Sequence, residues 1–331
     1  MDAPAFAILR DQLIERRHQL EAVTTASVAA GEIARLLQEV DAALRRMDAG
    51  TYGVCEGLRG PDRARAAHGG SAGPLLSGSS ATGRAARLEQ DLDLASRIQR
   101  ELLPKPDTRV SGWEVAYHYQ PAGPVSGDYC DVIPGGSGDL YFLIGDVSGK
   151  GIAAAMLMSH LSAMLRTLVS LGLPLTQLVE RASRVLCEST LPAAYATLVC
   201  GRASAGGDIE LCNAGHPPPL VIRDGTTVAI GATGLPIGMF CSGRFSSRNE
   251  RLEPGETMLL YTDGLTEAQD PMGVEYGLER LSAVAVSASR LPPQGLVDAC
   301  VGEVGAFRRA PALADDLTIM ALRRSQAPVE H

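Results

Sequence analysis

The sequence predicts an α+β fold in which strands and helices form separate layers. From Gly112 onwards it contains short β-like runs, most of them bounded by Gly, Pro, Asp or Asn. The runs read WEVAYHY, DYCDVI, LYFLIGD, YATLVCGR, IELCNAG, PLVIRDG, TMLLYTD and LTIMALR. Helical patterns are grouped apart from them, at 152–171, 175–188, 278–289 and 293–307. This grouping indicates a layered α+β domain and not a strict βαβ alternation.

Length and charge limit the kind of protein. A chain of 331 residues exceeds the usual length of one domain, which is about 100–200 residues, so we expect one large domain and a smaller one. The net charge of −8 argues against broad binding to nucleic acid or to an anionic membrane, because both favour a basic surface. We therefore expect neither as a partner.

The cysteines and the apolar segments favour a cytoplasmic protein. Seven cysteines are scattered along the chain without a C-x-x-C pair, and we expect them to be reduced thiols. Charges between Asp2 and Arg17 leave no apolar signal segment. The apolar stretch 151–175 is interrupted by His160 and Arg166, so we expect a buried helix there and no membrane span.

Residues 1–58 are predicted to form a helical regulatory module. Apolar residues recur at spacings of three and four between positions 7 and 46, which is typical of two helices in a hairpin. The following segment, RRMDAGTYGVCEG, resembles the helix-to-zinc-finger junction of the DksA/TraR family. That motif continues with a second cysteine where this chain has Leu58, and no Cys lies between Cys55 and Cys130. We therefore expect a degenerate finger without zinc, which needs four ligands; a generic helical pair accounts for the pattern equally well.

A linker and a helix are predicted to precede the larger domain. Residues 59–85 are rich in Gly, Ala, Ser and Arg and bury too little apolar surface to order, so they predict a flexible linker. Residues 86–104 predict a linker or switch helix that Pro104 ends. Its narrow apolar stripe either packs on its own domain or pairs with a second copy. The larger domain then covers 105–325.

Aspartates stand at the ends of several predicted strands of the larger domain. They occur in the segments SGDYCD, LIGDVSGKG and LLYTDG and in the pair that precedes LTIMALR. Hard divalent cations prefer carboxylate and water oxygens, and two such ions can activate water and stabilise phosphoryl oxygens. The pattern therefore indicates a metal-dependent hydrolase. A G-x-S-x-G elbow and a Walker A loop are both absent from the sequence, and no nucleophilic side chain is expected.

Six motifs occur in an order typical of one enzyme family. They are SGDYCD, IGDVSGKGIAAAMLMSHL, NAGHPPPLVI, GLPIG, LLYTDGLTEA and DDLTIMALR. In these motifs, over 86–324, the chain resembles the bacterial SpoIIE/RsbU-like serine phosphatases, a branch of the metal-dependent protein phosphatase (PPM, protein phosphatase 2C-like) superfamily. The resemblance implies a β-sandwich of two antiparallel sheets flanked by helices, with two Mn²⁺ or Mg²⁺ ions in a cleft at one end.

The resemblance also implies roles for single residues. Asp146 resembles the carboxylate that bridges the two ions, and the backbone carbonyl of Val147 is similar to that of a Gly ligand in the superfamily. Asp263 and Asp315 resemble ligands of the first ion, and Asp128 resembles the carboxylate of the second. Asp146 and Asp263 are the predicted catalytic residues.

Three further residues are candidates to support the metal ligands, and for one of them, Asp131, a purely structural role is the open alternative. They are Asp131, Ser148 and Asp316, the last of which stands where many relatives have Asn. Ser148 stands where eukaryotic relatives have a histidine proposed as proton donor to the leaving serine, so the general acid is unassigned. We interpret His216, in a Pro-rich turn, as structural.

The resemblance implies a cytoplasmic phosphatase that hydrolyses phosphoserine or phosphothreonine with metal-activated water. Typical substrates in the family are phosphorylated STAS-type anti-anti-sigma proteins of partner-switching pathways. A homodimer is also expected, through the apolar stripe of the helix at 86–104. Two alternatives stay open: a catalytically inactive module that binds a phosphoprotein, and an adaptor whose DksA-like hairpin docks on RNA polymerase. The complete set of predicted aspartate ligands argues against an inactive module.

Overall fold

The computed structural model describes residues 81–136, 138–190, 194–309 and 313–325, together with positions 38, 41 and 45. The chain divides into a unit of residues 1–79 and a unit of residues 80–331. All the elements below belong to the second unit. Apart from those three positions, the predicted N-terminal module lies outside the described residues, and so does the predicted linker up to residue 80.

The strands of the second unit form two sheets in which neighbouring strands are antiparallel. The first sheet has the order β1-β2-β11-β10-β7-β8 and the second has the order β3-β4-β5-β6-β9. The first contains β1 (Thr108–Val110), β2 (Trp113–Gln120), β7 (Leu220–Arg223), β8 (Thr226–Ala229), β10 (Thr257–Tyr261) and β11 (Leu317–Arg324). The second contains β3 (Asp128–Pro134), β4 (Leu140–Val147), β5 (Ala196–Ala203), β6 (Asp208–Ala214) and β9 (Arg248–Arg251).

Helices cover the outer face of each sheet. The helices of the described residues are α1 (Ala81–Leu102), α2 (Ile152–Ser170), α3 (Leu175–Ser189), α4 (Asp263–Thr266), α5 (Gly277–Ser287) and α6 (Pro293–Arg308). The helices α2 and α3 pack on the second sheet, and α5 and α6 pack on the first. The result is a sandwich of two sheets between two helical layers, as the family resemblance implies.

Side-chain alternation along the strands builds three apolar layers. In β4, Tyr141 and Leu143 face the helices, whereas Phe142 and Ile144 face the other sheet, because successive strand side chains point to opposite faces. Both faces are covered, so β4 is a nearly continuous apolar run. It ends at Asp146 and Val147, at the end of the sandwich where the acidic residues lie.

The helix α2 is long and apolar enough to cross a membrane by length and composition. Its buried side chains, including Met158, Leu161 and Leu165, belong to the layer between the helices and the second sheet. This agrees with the predicted buried helix. The helix α1 begins at Ala81, five residues before the predicted start at 86.

Three strands have no counterpart in the sequence prediction: β1, β8 and β9. They are three or four residues long, with the sequences TRV, TTVA and RNER, and each lies at the edge of a sheet. An edge strand with one partner and little apolar surface lacks the alternation on which the prediction depends.

The expectation of reduced cysteines is wrong for one pair. Cys187, near the end of α3, and Cys241 form a disulfide with a Cα–Cα distance of 5.3 Å. Because 54 residues separate them in sequence, no local motif predicts their contact. Cys130, Cys200, Cys212 and Cys300 are free and buried, and Cys55 lies outside the described residues.

Candidate active site

Asp128 begins β3 and joins the two sheets. Its carboxylate Oδ2 accepts hydrogen bonds from the hydroxyl groups of Thr262, at 2.9 Å, and Thr318, which lie at the neighbouring ends of β10 and β11. The side chain is buried, and burial, followed by the charge of Asp146, raises its pKa well above the usual range. The two threonines escaped the sequence prediction, although each stands within three residues of a predicted aspartate ligand.

Asp146 lies directly across the strand pair from Asp128. Burial raises its pKa to about 7, and the charges of Asp263, Asp315 and Asp316 add to this effect. Four segments far apart in sequence therefore bring carboxylates within electrostatic reach of one another. A Cβ atom at Gly127 would lie 3.3 Å from Asp146 Oδ1 and 3.1 Å from the carbonyl oxygen of Val147, so glycine leaves room for both predicted donors.

Asp263 and Asp315 lie beside the ends of strands of the first sheet, Asp263 after β10 and Asp315 before β11. Asp263 begins α4, and burial and the charge of Asp315 raise its pKa. The carboxylate of Asp315 accepts a hydrogen bond from Lys150 Nζ at 2.8 Å. Glu267, which the sequence analysis did not select, also belongs to this acidic group, because burial and the charge of Asp263 raise its pKa.

Asp316 supports the segment that leads to Asp128. Its Oδ1 accepts the backbone N–H of Ala122 at 2.8 Å, and its Oδ2 accepts that of Gly127 at 2.9 Å. Both carboxylate oxygens are thus engaged by the backbone. This arrangement suits the predicted supporting role, since it holds the start of β3 against the start of β11.

Asp131 points away from the acidic group. Three residues beyond Asp128, it faces the helices and pairs with Arg166 of α2 through two hydrogen bonds of 2.7 and 2.8 Å. Tyr129 Oη also donates to it, at 2.9 Å. Its position fits a structural role, the fixing of α2 on β3.

Ser148 closes the turn after β4. Its backbone N–H donates to the carbonyl of Tyr195 at 2.9 Å, and its hydroxyl oxygen accepts the N–H of Tyr195 at 3.0 Å. The residue that replaces the eukaryotic histidine is therefore bonded to the start of the β5 segment.

A buried histidine lies behind Asp146. His216 Nδ1 is 2.8 Å from the hydroxyl of Thr197, which also donates to the carbonyl oxygen of Asp146 at 3.4 Å. Asn213 closes the turn, with its Oδ1 accepting the N–H of His216 at 2.8 Å. Burial lowers the pKa of His216 to about 3, so the ring is neutral near pH 7, consistent with the predicted structural role.

Gln99 of α1 reaches the segment before Asp128. Its side-chain amide donates to the carbonyl of Ser126 at 2.9 Å and accepts the N–H of Ser126 at 3.0 Å. Gln99 and Ser126 are both buried. The apolar stripe of α1 can be read from the sequence, but no pattern there predicts the contact between Gln99 and Ser126. This contact links the helix to the acidic end of the sandwich.

The donors at this end fit divalent cations by their chemistry. Carboxylates and a backbone carbonyl are hard oxygen donors. Burial is the largest cause of the raised pKa of Asp146, and the negative charges of Asp263, Asp315 and Asp316, which a cation would offset, add to it. Among the described residues, no three acidic, His or Cys side chains are gathered around one point, and Asp315 is turned towards Lys150. The predicted carboxylate ligands therefore lie near one another at one end of the sandwich but do not form a closed coordination sphere.

Comparison with known proteins identifies the family. The family model of stage II sporulation protein E (SpoIIE) matches residues 136–325, more than half of the chain. The chain belongs to the SpoIIE family. The matched region includes Asp146, Asp263 and Asp315, whereas Asp128 and α1 precede it.

Relatives of this SpoIIE-family chain include named phosphatases. RsbU of Bacillus subtilis (strain 168), a phosphoserine phosphatase, is 24% identical over 189 residues, which cover 56% of each protein. The RsbU and RsbW domains of Rv1364c from Mycobacterium tuberculosis are 31% identical, with a TM-score of 0.58 over 66% of this chain and 63% of that one. The chain spans 42–56% of the length of the curated relatives.

The fold of the SpoIIE-family domain agrees with a further solved structure. The SiaA-PP2C domain of Pseudomonas aeruginosa has a TM-score of 0.64 and covers 74% of this chain and 99% of that domain, at 19% identity. At this identity, the likeness concerns the fold. The predicted PPM-type sandwich is confirmed.

Asp146→Asn is expected to stabilise the metal-free chain at neutral and alkaline pH. A carboxyl group whose pKa rises from 3.8 to about 7 on folding retains a proton that the unfolded chain releases, so its contribution to stability falls as pH rises through that window. The difference corresponds to at most about 4 kcal/mol. In thermal unfolding in EDTA, the unfolding temperature of the variant should exceed that of the wild type by more at pH 8 than at pH 5.

The matched control is Asp91→Asn on the exposed side of α1. It should leave the pH dependence unchanged. A wild-type chain whose stability in EDTA rises between pH 5 and pH 8, with no gain from Asp146→Asn, would contradict the electrostatic account of the cleft.

Proposed function

We propose that this chain is a Mn²⁺- or Mg²⁺-dependent protein phosphatase that hydrolyses phosphoserine or phosphothreonine. The observation that carries the proposal is the convergence of Asp128, Asp146, Asp263 and Asp315 at one end of the sandwich, in a chain of the SpoIIE family. The name of RsbU, a phosphoserine phosphatase, supports the same reaction.

In this proposal the aspartates and one carbonyl hold two divalent ions. Asp146 would be shared by the two ions, Asp263 and Asp315 would hold the first, and Asp128 would hold the second. The backbone carbonyl of Val147 would be a further oxygen donor. When bound, such ions supply Lewis acidity and an activated water for hydrolysis of the phosphoester. Asp128 is buried and accepts hydrogen bonds from two threonines, so moving its carboxylate out into solvent would cost free energy. We therefore assign it a second role, which is to keep the two sheets in place at this end of the sandwich.

The residues of the chain itself position the carboxylates. Thr197 and His216 fix the backbone of Asp146, Asp316 fixes Gly127, and Ser148 fixes the turn after β4. Preorganised groups of this kind lower the cost of arranging charge around a phosphoryl group. Ser148 is engaged by the backbone, so we assign no general acid at that position.

We further propose a phosphorylated protein substrate of the STAS type in a cytoplasmic partner-switching pathway. The support is the likeness to RsbU and to a structure that joins RsbU and RsbW domains in one chain.

For regulation, we propose that α1 relays the state of the N-terminal region to the cleft. Gln99 clamps Ser126, two residues before Asp128. The same helix exposes Leu88, Leu94 and Ile98, an apolar surface that a second copy of α1 would cover in a homodimer.

Hydrolysis of p-nitrophenyl phosphate tests the proposed function. The full chain should turn over this substrate with Mn²⁺ or Mg²⁺ and lose the activity in EDTA. Asp146→Asn and Asp263→Asn should each reduce turnover at least about a hundredfold, the scale expected when an electrostatic element of a catalytic site is removed. Asp91→Asn is the control. Absence of turnover with either metal in the wild type would favour the phosphoprotein-binding module.

Gln99→Ala tests the link between α1 and the cleft. Loss of two buried hydrogen bonds should cost about 1–3 kcal/mol of stability and should raise the Mn²⁺ concentration needed for half-maximal activity, because Ser126 and Asp128 lose their support. Glu101→Ala, at an exposed neighbouring position, is the control. Equal metal dependence in Gln99→Ala and the wild type would leave Gln99 as a packing residue only.

A further inference from the structure

Lysine is rare in this sequence. Of 30 basic residues, 28 are arginines and two are lysines, Lys105 and Lys150. One of the two lies in the acidic cleft. Lys150, in the SGKG turn, contacts Asp315, and no role has been assigned to this cation above.

Lys150 bridges the two sides of the cleft. It lies in the turn between β4 and α2, four residues after Asp146, and its Nζ donates to Asp315 Oδ2 at 2.8 Å and to the carbonyl of Ala314 at 3.1 Å. Yet 69% of the side chain is exposed. The ammonium group is therefore held by Asp315 at a position open to solvent and to an incoming ligand.

The backbone on both sides of Lys150 is also open. Gly149 and Gly151 have φ angles of +101° and +72°, and a Cβ at either would meet no atom within 4 Å. The turn can thus approach a ligand closely without obstruction from its own side chains.

We propose that Lys150 has two partners in succession: Asp315 in the metal-free chain and, once a divalent cation binds Asp315, the phosphoryl group of the substrate. This inference rests on the proposed function. An ammonium paired with Asp315 competes with a cation for the same oxygen, and its three donors match the acceptor oxygens of a phosphate dianion. Lysine suits such an exchange because its charge sits at the end of a flexible stem.

The two roles predict opposite effects of one substitution. In Lys150→Gln, Mg²⁺ should bind roughly 1.5- to 5-fold more tightly, the range expected from loss of a competing exposed ion pair. Inorganic phosphate, as a product inhibitor of p-nitrophenyl phosphate hydrolysis, should bind about tenfold more weakly, because one charge-assisted hydrogen bond is lost. If Lys150 had only a structural role, the substitution would weaken both Mg²⁺ binding and phosphate binding, or neither.

The experiment compares four full-length chains: wild type, Lys150→Gln, Lys150→Arg and Lys105→Gln. Mg²⁺ affinity is measured by titration calorimetry without substrate, and phosphate affinity from inhibition at saturating Mg²⁺. Lys150→Arg keeps the charge and should keep phosphate inhibition close to wild type, so it separates loss of the charge from loss of the lysine side chain. Lys105→Gln changes the other lysine, which is exposed and far from the acidic residues in sequence, and should change neither.

The outcomes separate the inference from the proposed function. Tighter Mg²⁺ binding with weaker phosphate inhibition in Lys150→Gln supports the exchange of partners. Unchanged or weaker Mg²⁺ binding in Lys150→Gln, or unchanged phosphate inhibition, overturns the exchange of partners. In that case, turnover by the wild type still supports the phosphatase proposal. A wild-type chain that neither binds Mg²⁺ nor hydrolyses p-nitrophenyl phosphate overturns both.

Discussion

The carboxylate of Asp128 ties the two sheets together at the end of the sandwich that carries the candidate site. It belongs to the second sheet and accepts hydrogen bonds from Thr262 and Thr318 of the first. The threonines are also joined to each other, since the N–H of Thr318 donates to the hydroxyl of Thr262 at 3.0 Å. A buried carboxylate that loses such partners regains no water. The contact therefore fixes how far Asp146 lies from Asp263 and Asp315.

This constraint has an electrostatic cost. Burial, followed by the charges of Asp263, Asp315 and Asp316, raises the pKa of Asp146 to about 7, so ionising it at neutral pH opposes folding. Apolar layers on both sides of the second sheet and the pair between Asp131 and Arg166 stabilise the same region. A site that concentrates negative charge in this way is poised to favour the binding of cations, and perturbed carboxyl groups are typical of functional clefts.

Most of the fold follows from local patterns in the sequence. Runs such as LYFLIGD and TMLLYTD predict buried strands that end in aspartate, and these strands form the sandwich that the resemblance to the SpoIIE-type phosphatases implies. Contacts between distant segments are different, because nothing at Gln99 or Thr318 indicates a partner 27 or 190 residues away. The same holds for Cys187 and Cys241, and the polar edge strands β1, β8 and β9 lack any periodic signal.

Anomalous diffraction from crystals grown with Mn²⁺ would test the central claim most directly. The account predicts two peaks in the cleft, both next to the carboxylate of Asp146, with Asp263 and Asp315 beside one and Asp128 on the side of the other. It also predicts that Lys150 no longer contacts Asp315. Peaks remote from Asp146, or an Asp146 carboxylate with no manganese beside it in a chain saturated with the ion, would contradict the account.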